Sequence, residues 1–246
     1  MTAQHAGVDP GDRDVEPGFV VEADLGADPD LDAARAASET RAQMRRRQLL
    51  SAAARLMERD GSQAVSMQSV ADEAGVSVGL IYRYFGGKDD LLLAVIVDVL
   101  ETFAHRVHEA ISAAGADPVD RLVAAFRAYC EVIDVHRHAA VLTYRESKSL
   151  TADGRRVIKR LELETSAPLR ELIREGVDAE LFRCDNPDLV AYDLLLFAHA
   201  WALKHWAFQH SLTLAAYVDH QAALVLNALL EPRKRRSYTR YLTPGR

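Results

Sequence analysis

Cysteine is scarce in this chain of 246 residues: only Cys130 and Cys184 occur, both within stretches of helical periodicity. No disulfide framework is expected, and both read as buried free thiols of a reducing compartment. The N-terminus has no basic stretch followed by an apolar one, so no secretory signal is expected. No uncharged apolar run approaches the roughly 18 residues of a membrane span. These absences point to a soluble, cytoplasmic protein with no membrane partner. Strand-like alternation and internal repeats are missing too, which leaves an all-α fold. There is no Ser-His-Asp motif, phosphate loop or nucleotide fingerprint, so neither an enzyme nor a cofactor is expected. His136, His138, Glu146, His199, His205 and His210 raise the question of a metal. Their spacings match no tight zinc pattern such as HExxH or paired CxxC, and no metal is expected.

Charge, by contrast, is plentiful and unevenly placed. The net charge is -6, yet residues 1–40 hold ten acids against Arg13 and Arg35, so the remaining 206 residues carry +2. Residues 1–38, with Pro10, Pro17 and Pro29 and no sustained periodicity, read as a disordered acidic tail. Such a tail is either a solvated appendage or an intramolecular mimic of DNA that competes for a basic face.

Residues 66–93, SMQSVADEAGVSVGLIYRYFGGKDDLLL, carry the most information. Ser66 is a good N-cap for a helix Met67 to Ala74 that buries Val70, Ala71 and Ala74, and Gly75 can take the left-handed conformation that ends it. Ser77 caps a second helix, Val78 to Phe85. It is too short to persist alone and must be anchored inward by Ile81 and Phe85. Its other face offers Val78, Gly79, Tyr82, Arg83 and Tyr84. Upstream, a helix from about Thr40 to Arg59 has an apolar stripe, Leu49, Ala53 and Leu56, and opens with Arg41, Arg45, Arg46 and Arg47. Two helices joined by a three-residue turn, the second displaying small residues, hydroxyls and an Arg, describe a helix-turn-helix.

This stretch resembles the DNA-binding domain of the TetR family of bacterial repressors. The matching residues are Val70-Ala71, Ala74-Gly75-Val76-Ser77, Gly79, Ile81-Tyr82, Tyr84-Phe85, Lys88, Asp90 and Leu91, within about residues 41 to 93. Ser66 stands where the family more often has Thr, and Gly87 where a polar residue is common. The resemblance implies double-stranded DNA as partner and contacts by Arg45, Gln68, Ser77, Val78, Gly79, Tyr82, Arg83, Tyr84 and Lys88. Residue chemistry supports most of these roles independently. Gly79 lets the helix approach closely, and Arg83 can fork to O6 and N7 of a guanine or bind phosphate alone. Val78 suits a thymine methyl. Tyr82 and Tyr84 suit phosphate oxygens or the core. Lys88 adds an ammonium to a helix N-terminus.

Beyond the head the periodicity predicts helices from Lys88 to about Ala114, from Pro118 to about Arg137, near Ala139 to Ser149, and from about Gly154 to Ala179. The last should kink or break near Ala167 because Pro168 lacks an N–H. Two more run from Pro187 to about His210 and from Leu214 to Leu230. The basic end, RKRRSYTRYLTPGR, reads as frayed. The expected division is a tail (1–38), a three-helix head (39–87), a larger helical effector-binding and dimerisation body (88–232) and a flexible basic tail (233–246).

One head covers too few bases for specificity, and doubling on a palindrome is the common solution. Leu189, Tyr192, Leu196, Leu203 and Trp206, with Tyr217, Val218 and Val225, form apolar stripes. They either complete each monomer's core or build the four-helix homodimer interface that the resemblance implies. The family usually releases DNA when a small molecule enters the body. Candidate ligand contacts are Phe103, Phe126, Tyr129, Tyr144, Glu146, His199, Trp201 and His205. The apolar bias suits a hydrophobic effector. Lys148, Arg155, Arg156, Lys159 and Arg160 suit a phosphate-bearing one such as an acyl-CoA, or simply form a solvated face. A constitutive regulator or activator without an effector is the alternative.

Overall fold

The computed structural model describes residues 29–146, 148 and 150–243, with side chains from residue 38 onward. The chain parts into two compact units, Met1–Arg41 and Ala42–Arg246. The described part of the first is the start of helix α1, which spans Pro29–Asp60. α1 therefore begins well before the expected Thr40, and residues 29–38 are helical rather than part of a structureless tail. Acidity alone favours disorder. Yet Pro29 at the first helical position, Asp30 and Asp32 at the positive end of the helix dipole, and an alanine-rich continuation all favour helix. The rest of the expected acidic tail lies outside the described residues.

In the second unit, α2 (Met67–Ala74) begins with a capping box. The Ser66 side chain accepts from the Ser69 N–H, and the Ser69 hydroxyl accepts from the Ser66 N–H. Gly75 closes it at φ 66, where a Cβ would be strained. α3 (Val78–Tyr84) follows after the three-residue turn. Ser77 precedes it in extended conformation but makes no side-chain cap bond, contrary to expectation. Packing holds this short helix instead: Ile81 and Phe85 are fully buried among Leu49, Met57 and Val70 of the same core.

α4 (Lys88–Ala113) leads from this head into the body. α5 (Pro118–Val135) starts from Asp117, whose carboxylate accepts from the N–H groups of Val119 and Asp120. α6 (Arg137–Glu146) and α7 (Ala152–Asp178) follow. α7 runs on through Pro168, so the expected break does not occur. The Thr165 and Ser166 hydroxyls donate back to the Glu162 and Leu163 carbonyls on the turn before the proline. α8 (Pro187–Leu203) is separated by Lys204 from the single turn α9 (His205–Phe208), where one helix to His210 was expected. α10 (Leu214–Leu229) is capped by Thr213. α5 is the central element, packed against α4, α6, α7, α8 and α10. Its Phe126, Tyr129 and Ile133 are buried to within 1 %.

As far as Thr243, the C-terminal segment is folded, not frayed. A 3-10 turn (Arg235–Tyr238) leads into α11 (Thr239–Leu242). The buried Tyr238 donates to Asp117 at 2.8 Å, Tyr241 donates to Asp120 at 2.8 Å, and Arg240 pairs with Asp120. Positive charge alone favours a frayed end. The two tyrosines and the acids at the start of α5 turn the segment into a strap. No strand forms among the described residues beyond an isolated bridge between Phe182 and Leu230. Among the described residues, no helix is long and apolar enough to cross a membrane.

Candidate functional site

The outward face of α3 is open to solvent. Gly79 is exposed, and a Cβ placed on it would meet no atom within 4 Å. The fold therefore does not require glycine there. Tyr82 is 54 % exposed. Arg83 is exposed, with its guanidinium 6.0 Å from the Tyr84 ring and no hydrogen bond or ion pair to hold it among the described residues. Val78 and Tyr84 are half-buried against the core, which leaves them less to offer a ligand than Tyr82. Ser77 and Gln68 are exposed, and Gln68 is engaged with Asp72 at 2.7 Å.

The arginines of α1 divide by role. Arg45 and Arg47 are exposed and make no hydrogen bond or ion pair among the described residues. Arg46 is tied to Asp98 of α4 at 3.3 Å and lies 5.9 Å from the Phe85 ring, so it braces head against body. Lys88 donates to the Gln63 carbonyl at 3.0 Å. It therefore pins the turn before α2, and its remaining N–H groups stay available at the α4 N-terminus.

A cavity of about 340 Å³ opens in the body. α4 contributes Ile96, Val99, Leu100 and Phe103, and α5 contributes Ile133. α6 adds Ala140, Thr143 and Tyr144, α7 adds Arg155, Ile158, Lys159 and Glu162, α8 adds His199, and Lys148 joins from the α6–α7 connection. The wall is mainly apolar with three cations in it. The Tyr144 hydroxyl lies 2.7 Å from His199 Nδ1, and the two rings meet edge-on at 5.5 Å. Burial lowers the His199 pKa to about 4, so the ring is neutral. Burial also raises the Tyr144 pKa, with a further push from Glu162. Glu162 itself is raised by burial, against the pull of Lys159.

Of the eight expected ligand contacts, the cavity brings together Phe103, Tyr144 and His199. The other five do other work. Phe126 and Tyr129 are core, the latter packed on Phe103 at 4.9 Å. Trp201 is buried, with its Nε1–H donating to Asp134 at 2.7 Å. His205 faces Arg137. Glu146 accepts from the buried Ser62 at 2.6 Å, a tie between α6 and the head. Aromatic residues at helical spacing fill cores more often than cavities, and the sequence did not separate the two. Ile96, Leu100 and Thr143 were missed, although the Ile96–Leu100–Phe103 stripe of α4 was there to be read. Glu162 carried no signal, being one acid on a charged helix. A larger cleft of about 670 Å³ lies between α1, α4 and the start of α6, but its lining mixes Arg47, Arg106, Asp98, Glu101 and Glu109 and selects for no one charge.

The expected dimerisation residues also split. Leu189, Tyr192 and Leu196 of α8 are 58 %, 41 % and 54 % exposed, Trp206 is 70 % exposed, and Leu203 is half-buried. Leu224 of α10 is exposed as well. Tyr217, Val218 and Val225 belong instead to the monomer's core, Tyr217 donating to the Phe197 carbonyl at 2.6 Å. A stripe on α10 has two possible inward faces, and only packing decides between them. Several large apolar side chains left exposed along one helix are unusual for a monomer.

Comparison with known proteins matches both parts of the chain. Residues 49–95 fit the model of bacterial regulatory proteins of the tetR family, and residues 115–229 fit that of the tetracyclin repressor-like C-terminal domain. The HTH-type transcriptional regulator HbdR of Aromatoleum sp. (strain CIB) is 42% identical over 186 residues, 76% of this chain and 81% of that protein. The HTH-type transcriptional repressor KstR2 of Mycolicibacterium smegmatis is 30% identical over 149 residues, 59% of this chain and 72% of that protein. Among solved structures, the ketosteroid transcriptional regulator KstR2 of Mycobacterium tuberculosis superposes with a TM-score of 0.65 at 24% identity, covering 76% of this chain and 95% of that one. AibR, in complex with isovaleryl coenzyme A and operator DNA, gives 0.64 at 22%, covering 75% and 99%. At these identities the structural likeness is one of fold.

Proposed function

Because the chain belongs to the TetR family of bacterial regulatory proteins, we propose that it is a dimeric repressor of transcription that releases a palindromic operator when a CoA thioester enters its body. The family acts on transcription, not as enzymes, so the cavity is read as a sensor. The observation that carries this reading is the cavity's position and lining. Four of its apolar residues lie on α4, the helix that begins directly after the recognition helix α3. A ligand that shifts α4 therefore acts on the head at once. It need only prefer the non-binding state, and a coupling of about 1–3 kcal/mol is typical.

An apolar interior edged by Lys148, Arg155 and Lys159 fits a hydrophobic acyl chain joined to a phosphate-bearing carrier. AibR, of the same fold, binds isovaleryl coenzyme A together with operator DNA. In the head, residues 39–87, Gly79, Tyr82 and Arg83 read the groove, with Arg45, Gln68, Ser77, Val78, Tyr84 and Lys88 on its rim and phosphates. In the body, residues 88–232, the exposed face of Leu189, Tyr192, Leu196, Leu203 and Trp206 joins two copies, so that two α3 helices meet successive major grooves.

The test is selection of binding sites from random duplex DNA. The winner is then titrated by fluorescence anisotropy in the presence of coenzyme A and a series of acyl-CoAs. A palindromic winner bound by a dimer and released by acyl-CoAs supports the reading. An asymmetric site bound by a monomer overturns the dimer. Tight operator binding that no acyl-CoA weakens overturns the effector and favours a constitutive regulator.

A further inference from the structure

The cavity's polar lining divides into two kinds. Lys148, Arg155, Lys159 and Glu162 are ionisable groups suited to charged partners. Tyr144 and His199 are an uncharged, hydrogen-bonded pair set among the apolar residues. A phenol is the stronger acid and an imine-type ring nitrogen the stronger base, so the Tyr144 hydroxyl donates to Nδ1. That contact fixes the other tautomeric position: the proton of the neutral ring sits on Nε2. Nε2 has no hydrogen-bond partner among the described residues, and His199 is one of the residues lining the cavity, so its neutral N–H is free to meet a ligand there.

An uncharged donor in an apolar wall suits a neutral acceptor. A carboxylate would lose more hydration on entering than one neutral donor returns. All CoA thioesters share one such acceptor next to the acyl chain, the thioester carbonyl. Resting on the reading of the cavity as a CoA-thioester site, we infer that His199, oriented by Tyr144, recognises the thioester carbonyl oxygen, so that the protein responds to acylated coenzyme A and not to the carrier or the chain alone. His199 is then a specificity residue and Tyr144 a positioning one.

The experiment compares matched pairs. Butyryl, isovaleryl, hexanoyl and octanoyl coenzyme A are each set against the thioether in which a methylene replaces the carbonyl. Binding to the full chain is measured by calorimetry and operator release by anisotropy. Each thioester should bind about tenfold tighter than its thioether, the equivalent of one well-formed hydrogen bond. His199→Phe should abolish that preference while leaving thioether affinity within about twofold. His199→Gln, which keeps an N–H donor, should restore part of it, and Tyr144→Phe should reduce it by about threefold. Should His199→Phe not fold, the Gln and Tyr144 variants decide the matter. Equal binding within the wild-type pairs, or a preference unchanged in all the variants, overturns this inference and leaves the effector reading standing. If neither member of any pair binds, the effector reading itself falls, and the inference with it.

Discussion

Gly79→Ala separates what the recognition helix needs for folding from what it needs for DNA. Gly79 sits inside α3, is exposed, and a Cβ there meets nothing within 4 Å. Alanine is favoured over glycine inside a helix by roughly 0.8–1 kcal/mol, and no clash offsets that gain. The variant should be more stable by about that amount, or roughly 2–4 °C in Tm for a chain of this size. DNA should respond in the opposite sense. If the helix backbone approaches the groove at Gly79, each added methyl group enters a packed interface, at a cost of about 1–3 kcal/mol per head. Operator affinity should fall at least tenfold, with little change in the salt slope because no charge is altered. Differential scanning fluorimetry and anisotropy titration at two salt concentrations read both effects on one preparation. A lower Tm would show that the α3 surface is not open at this position. A raised Tm with unchanged operator affinity would refute close approach at Gly79. The opposed signs matter, because a variant that binds poorly while folding better cannot be dismissed as damaged.

Three further outcomes follow from the packing. Gly176→Ala places a methyl group in the ring of the buried Phe182, which lies against that glycine; chemical denaturation should show a loss of about 2–3 kcal/mol, and a loss below 0.5 kcal/mol would mean that the loop simply gives way. Asp117→Ala removes both the N-cap of α5 and the acceptor for Tyr238; it should cost about 2 kcal/mol and open the C-terminal strap to trypsin at Arg236 and Arg240, whereas an uncut strap would show that Asp120 alone holds it. His199 has its pKa lowered to about 4 from an ordinary 6.5. The unfolded chain therefore binds this proton more readily, and the contribution of the neutral ring is complete above pH 6.5 and lost as pH falls toward 4. Stability should drop by about 2 kcal/mol over that window, less than the full equivalent of the shift because the ring meets cavity solvent. His199→Gln should flatten this part of the profile, and an unchanged profile would refute the assignment.

How much of this was legible beforehand depends on whether the information was local. Much of the head was readable, because a capping serine at Ser66, a left-handed glycine and two apolar anchors each have a local meaning, although Ser77 makes no cap bond and Ala74 is only half-buried. Ser66, Gly75, Ile81 and Phe85 stand where their chemistry requires. The misses needed information from elsewhere in the chain. Pro168 does not break α7: its missing N–H removes only the bond to the Glu164 carbonyl, and packing against α4, α5 and α8 holds the helix on both sides of it. The basic C-terminal run is a strap because Asp117 and Asp120, far upstream, receive Tyr238, Arg240 and Tyr241. α10 offered two plausible inward faces, and Tyr217 and Val218 turned toward their own core.

The cavity shows the same division. Periodicity identifies residues that leave water, but not whether they meet another side chain or an empty space. Phe126 and Phe103 look alike in the sequence, and only the second borders the cavity. A polar residue that periodicity carries inward is the better guide, since an unpaired buried dipole is costly and must have a partner. Tyr144 and His199 satisfy each other at one atom apiece, and both border the cavity, which is where such a pair is found when the helix face it sits on does not meet a core.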